Sequence, residues 1–197
     1  MTNSKSTLIT LAAAATIAMT GCGGGSSTTD STTSTTPVSP RADIAECSSF
    51  TIPATKTLSG EITSCTELDS ASLWTIDGLV VVKGTTLKIQ PGTVIEGEAG
   101  TGDSTSYMII DKDAKIIAEG TSSNPIIFQG TVGADVGEWG GLTIIGNASN
   151  DQVNPYEVNT AFGPGDFIDG ADNSGSLKHV KILNSGITMA EDKEING

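Results

Sequence analysis

The sequence predicts an all-β chain wound into a solenoid of short stacked strands, with a leader and a tether in front of it. Three observations predict this. From about Leu73 the chain becomes a series of short β-rich runs separated by glycine turns. Those runs repeat, Leu79–Gly92 (LVVVKGTTLKIQPG) matching Met108–Thr121 (MIIDKDAKIIAEGT). The 3.6-residue spacing of a helical repeat is absent. Composition agrees: among 197 residues, 17% are charged and 4% aromatic, too few for a helical bundle or coiled coil. A net charge of −13 excludes a nucleic-acid binder, which needs a basic face to displace counterions.

The elements follow in order. Residues 1–7 are polar and carry Lys5, and Leu8–Met19 (LITLAAAATIAM) is a mostly apolar run of 12 residues. A membrane span needs about 20 apolar residues, so this run has the length of a secretory signal core instead. It ends in Met19-Thr20-Gly21-Cys22, which resembles the lipobox of bacterial lipoproteins. Met19 and Thr20 depart from the commonest residues at their positions. The resemblance implies cleavage before Cys22 and lipidation of its thiol, whose thiolate is the nucleophile for acyl-glyceryl transfer. Gly23 is not acidic, which implies sorting to the outer membrane, in a periplasmic or surface-exposed setting.

After Gly23-Gly24-Gly25, ten of the eleven residues in SSTTDSTTSTT are Ser or Thr, and Pro37 and Pro40 follow. Nothing apolar here offsets the entropy of ordering, so the segment is a flexible tether. The expected organisation is a lipoprotein signal peptide at 1–21, a tether at 22–46 and the solenoid at 47–197. Losing Lys5 takes the mature charge from −13 to −14. With Cys22 acylated, Cys47 and Cys65 remain as an even pair for a disulfide in an oxidising envelope, with two free thiols as the alternative.

Within the body, Leu79 meets Met108, Val81 meets Ile110 and Lys83 meets Lys112 at an offset of 29 residues. Leu87 then meets Ile116, and Ile89 meets Ala118. After a four-residue insertion, Val94–Gly97 (VIEG) faces Ile127–Gly130 (IFQG). Each unit reads as three strands and their turns. Glu98–Thr105 looks like an inserted loop, so the basic unit is nearer 21 residues. Two less regular units follow. One is Gly137–Ala148 (GEWGGLTIIGNA). The other is a strand at Ser176–Leu183, with Val180 and Ile182 on one face and His179 and Lys181 on the other. A polar loop at 149–173 lies between them.

The series GTTLKIQPGTVIEG, KIIAEGTSSNPIIFQG, GEWGGLTIIGNA and DNSGSLKHVKI resembles a family of bacterial envelope proteins with a right-handed parallel β-helix, over roughly residues 58–197. The resemblance implies a secreted or lipid-anchored protein. It also implies that more strands follow, so the solenoid is expected to be incomplete at its C-terminus.

Catalysis on such a scaffold needs particular residues. The lyases among parallel β-helices use an arginine or lysine base beside calcium-binding acids, but the only arginine, Arg41, lies in the tether. Glycosidic hydrolysis needs two facing carboxyls. The expected outward stacks are instead Lys83 with Lys112, Lys88 near Lys115, and Glu96 with Gln129. Asp111 and Asp113 flank Lys112 on one strand, over Val82 and Gly84. Asp166, Asp169, Asp172 and Asn173 are oxygen donors that could hold calcium, but their spacing fits neither calcium-loop pattern, and they are ordinary turn residues. His179 has no partner set and reads as solvated surface. Trp74 and Trp139 read as coil packing rather than sugar platforms. The expectation is a non-catalytic, surface-anchored stalk, adhesin or binding module needing no cofactor and no metal. Its partners are the membrane, through Cys22, and a surface glycan or envelope protein. The alternatives are a carbohydrate-active lyase or hydrolase, and an assembly component pairing through an open coil edge.

Overall fold

Alternation makes each short run apolar on one side, and winding the runs into coils turns all those sides inward. The computed structural model describes residues 47–131, 135–147, 172–191 and 193–195, all within one compact unit spanning 38–197. In chain order its strands are β1 (Thr57–Ile62), β2 (Thr66–Leu68), β3 (Leu73–Val82), β4 (Thr86–Ile89), β5 (Val94–Gly97), β6 (Tyr107–Ile110), β7 (Lys115–Glu119), β8 (Ile126–Gly130), β9 (Gly141–Ile144), β10 (Gly175–Lys178), β11 (Val180–Ile182), β12 (Ile187–Ala190) and β13 (Lys193–Ile195). The helical piece among the described residues is a 3-10 turn at Gly102–Ser104.

These strands stack in parallel into the faces of a solenoid. One face runs β2-β4-β7-β10. A second runs from the first half of β3 through β5 and β8 to β11. A third runs from the end of β1 through the second half of β3 to β6 and β9. β3 serves two faces because it bends at Gly78, whose φ of +69° a side chain would resist. At this same corner the later coils carry their long insertions. The 21-residue unit is seen directly where no insertion intervenes, Leu68 pairing with Ile89 and Trp74 with Ile95.

The inward residues form ladders through the stack: Leu68–Ile89–Ala118–Leu177, and Trp74–Ile95–Phe128–Ile182. Most of this core has no solvent exposure, and each large side chain in it contributes roughly 1.5–3 kcal/mol of burial. At the last described coil the ladder opens, with Leu177 45% and Ile182 41% exposed.

The structure corrects the alignment in one place. β3 pairs with β6 at an offset of 28, so Leu79 faces Tyr107 and Val81 faces Ile109. The offset of 29 begins only at β4 and β7. The turn Asp111–Ala114 is one residue longer than Lys83–Thr85, and the extra residue shifts everything before it. The Ser176–Leu183 strand is also divided: His179, at φ +47°, breaks it into β10 and β11. Val180 and Ile182 do share a face, stacking on Ile126 and Phe128.

Two features are added to the coils, one along an edge and one over an outer face. Residues 47–51 lie along the free side of β2, where Thr51 bridges Thr66, and a disulfide joins Cys47 to Cys65 with Cα atoms 5.8 Å apart. Far along the chain, β12 and β13 form an antiparallel hairpin. Its Ile187, Met189 and Ile195 pack with Leu79, Tyr107 and Ile109 in a second apolar cluster, outside the solenoid core.

Candidate functional site

A groove of about 380 Å³ lies on the outer side of the β4-β7-β10 face. Alternation places Thr86, Lys115, Ile117 and Ser176 outward there, and Phe50 reaches in from the clamped N-terminal segment. Cys47 of the disulfide contributes to its wall, as does Asn173 just before β10. Asn173 accepts a hydrogen bond from the Gly175 amide at 2.8 Å through its carbonyl oxygen, which leaves its NH2 group free to donate. Ser176 donates its hydroxyl to Glu119 at 2.7 Å, so its oxygen lone pairs remain as acceptors. Beside the groove, the Lys88 ammonium sits 5.3 Å from the centre of the Phe50 ring and 3.0 Å from Glu67. The Lys88 hydrogen bond holds the Glu67 carboxyl below the usual carboxylate range, against the opposing effect of burial.

Other outward polar groups bind one another across coils. Lys83 pairs with Glu61 at 3.0 Å, and this contact raises the lysine's pKa, with a further contribution from Asp111. Gln129 donates to Glu96 at 2.8 Å, the stacking expected from the sequence. Lys56 lies 4.3 Å from the centre of the Trp74 ring and 3.4 Å from Asp69, whose carboxyl is held low first by the Ser72 hydroxyl and also by Lys56.

Several expected placements change. Lys112 does not stack on Lys83; the slip of one residue brings Asp111 over Lys83 instead, exchanging a like-charge contact for an attractive one. Lys88 stacks on Ile117, and Lys115 on Thr86, so the two lysines are not neighbours in one ladder. Asp111 and Asp113 sit in the turn between β6 and β7 rather than on a strand. His179 is exposed at the break between β10 and β11. Asp172 accepts hydrogen bonds from the Asn147 amide at 3.0 Å and the Ser174 hydroxyl at 3.2 Å. Asp166, Asp169 and Cys22 lie outside the described residues. Among the described residues no three His, Cys, Asp or Glu side chains group to hold a metal, and no helix is long and apolar enough to cross a membrane.

Both tryptophans are fully buried, so neither offers a ring face to a sugar. Trp139 stacks on Phe128 with ring centres 6.3 Å apart and donates its indole N–H to the Leu183 carbonyl at 2.9 Å. Sequence reasoning missed Phe50, because a lone aromatic before the first repeat carries no periodic signal. The cysteine spacing was the available hint that its segment is fastened to the coil.

Parallel strands, inward ladders and glycine corners make this molecule a parallel β-helix with a lateral groove. The pectate-lyase-like β-helix domain matches residues 60–197, and the chain belongs to that family. No curated protein and no solved structure matches it.

Proposed function

We propose that this chain is a non-catalytic, lipid-anchored protein of the bacterial outer membrane that presents its β-helix as a binding module, taking ligand in the groove beside Phe50 and Lys115. The observation that carries this reading is how the outward polar residues are used. Glu61, Glu67 and Glu96 are engaged between coils by Lys83, Lys88 and Gln129, whereas the groove presents an aromatic ring, an apolar floor and free hydrogen-bonding groups. Such a lining can hold a ligand, and it lacks the two facing carboxyls that glycosidic hydrolysis requires.

The anchor reading rests on the sequence, through the lipobox-like Met19–Cys22 and the Ser/Thr tether that would hold the module off the membrane. The intact mass of the membrane-fraction protein tests it: a chain starting at a diacylated Cys22 is expected, and an unmodified Cys22 refutes it. A carbohydrate-active enzyme is the second reading, favoured by the family's likeness to pectate lyase. A glycan panel assayed for new reducing ends and unsaturated products separates the two. Binding without product is expected. Turnover that survives purification and is lost on changing Asp111 or Asp113 would establish the enzyme instead.

A further inference from the structure

We infer that the Cys47–Cys65 bridge is a load-bearing clamp: tension entering from the tether crosses it directly to β2, and Phe50 and β1 are kept out of the loaded path. The inference rests on the reading that the chain is anchored through Cys22. An anchored module that holds a ligand is pulled from both sides, and the pull from the anchor arrives at Cys47. The bridge spans 5.8 Å between Cα atoms, whereas the backbone joining the same two residues covers a separation of 18 residues. Tension follows the shorter covalent path, so the backbone ring from Cys47 to Cys65 stays slack.

The residues inside that ring hold weakly. The Thr51 amide donates to the Cys65 carbonyl at 3.0 Å, and the Thr51 carbonyl accepts from the Glu67 amide at 2.9 Å. Each such bond contributes about 0.5–1.5 kcal/mol net, and a pull on Cys47 would load them one after another. Thr51, Ile52, Ala54 and Thr55 are exposed. Phe50 reaches the groove wall from this strip. In β1, which follows, only Leu58 of the six residues is buried, and the pairing with β3 slips between Leu58 and Gly60. Cys65, by contrast, leads straight into β2, where Thr66 and Leu68 are buried and three consecutive residues pair with β4. β4 in turn carries β7 and β10. The bridge therefore delivers the load to a stack of four strands and bypasses an edge strip. Without it, the same pull would draw Phe50 out of the groove before β2 moved.

The test stretches the full chain in optical tweezers between peptide-tag handles at its two ends, first oxidised and then in a dithiol reductant. Cys22→Ser leaves the bridge cysteines as the only two. Reduction is expected to add a step of about 60 Å at a force below that of the main unfolding. That length is what a separation of 18 residues yields at about 3.3–3.6 Å per extended residue. The main unfolding force should not change, and the oxidised chain should lack the early step. C47S/C65S should behave as the reduced chain does, and reduction in place carries the test if that variant does not fold. A reduced chain that unfolds in a single event at the oxidised force overturns the inference, because the ring residues then resist as well as the coils. An early step of that length in the oxidised chain also overturns it, because the load then reaches the ring. The anchor is read separately: an unmodified Cys22 in the membrane-fraction protein removes the source of the load and overturns the clamp's role there, whatever the pulling curves show.

Discussion

Gly97 and Gly130 end the matching runs VIEG and IFQG because other side chains occupy the space beside them. A Cβ on Gly97 would lie 2.8 Å from Trp139, and one on Gly130 would strike Glu138. The block GEWGG is thus the partner of those two glycines: its Glu and Trp fill the space they leave, and Gly137 and Gly141 turn the chain at φ of +82° and +93°. Gly97→Ala should therefore destabilise the fold by about 1–3 kcal/mol through overpacking against a fixed indole. Trp139→Ala should cost about 3–5 kcal/mol by leaving a cavity. Chemical denaturation of each variant measures both. The repeat of the glycines was legible in the sequence, but their reason was not, since Trp139 lies more than forty residues from Gly97 and only the stacked coils bring them together.

Charge at the residue scale also has a sign. Glu67 and Asp69 titrate below ordinary carboxylates, the first mainly through Lys88 and the second mainly through Ser72. Folding therefore gains from their ionised forms. That gain is complete above the unfolded carboxylate pKa, about 4, and is lost as pH falls through the lowered values. The unfolding temperature should drop on acidification below about pH 4, and Lys88→Met should remove part of that dependence. A curve of unfolding temperature against pH for the two proteins reads this directly.

At the scale of elements, strand existence and type were legible because inward ladders leave alternation in the sequence. Register was legible where the turn lengths agree, as for Leu87 with Ile116, and failed where they differ by one residue, as for Leu79 with Tyr107. The hairpin of β12 and β13 was not foreseen. Its signal was present in Tyr107–Ile110, a run without alternation in which all four residues are buried, because β6 is covered on both sides. The N-terminal segment is held to β2 by the backbone bonds of Thr51 to Cys65 and Glu67, and by the Cys47–Cys65 bridge. Closing a separation of 18 residues stabilises by about 3 kcal/mol on the chain-entropy model. Replacing both cysteines by serine should lower stability by about that amount. It should also speed amide exchange at Phe50 and Thr51 more than in β4 or β7, as measured by hydrogen–deuterium exchange.

At the scale of the whole molecule, each coil rests on the next, so the core ladders and the groove depend on the same stacking. The groove itself is assembled from three coils: Thr86 on β4, Lys115 and Ile117 on β7, and Ser176 on β10. A solenoid distributes its stability over such neighbour contacts rather than in one central core. This is why composition could indicate the architecture but not the site. The thin core needs Val, Ile and Leu at alternate positions, whereas the groove needs particular residues from distant parts of the chain to meet. The low aromatic content has the same origin, for both tryptophans are consumed in packing between coils.

The stacking is open to a direct measurement. Glu96 and Gln129 face each other on β5 and β8, outside the core. Parallel neighbours sit about 4.8 Å apart, within reach of a disulfide. With Cys22 changed to Ser, the double variant E96C/Q129C should form an intramolecular bridge under mild oxidation, identified by peptide mass mapping, with the native Cys47–Cys65 bridge intact. If that pair stays reduced while cysteines placed at Glu96 and Ile127 join, the coils are stacked in another register, and both the core ladders and the groove described above are wrong.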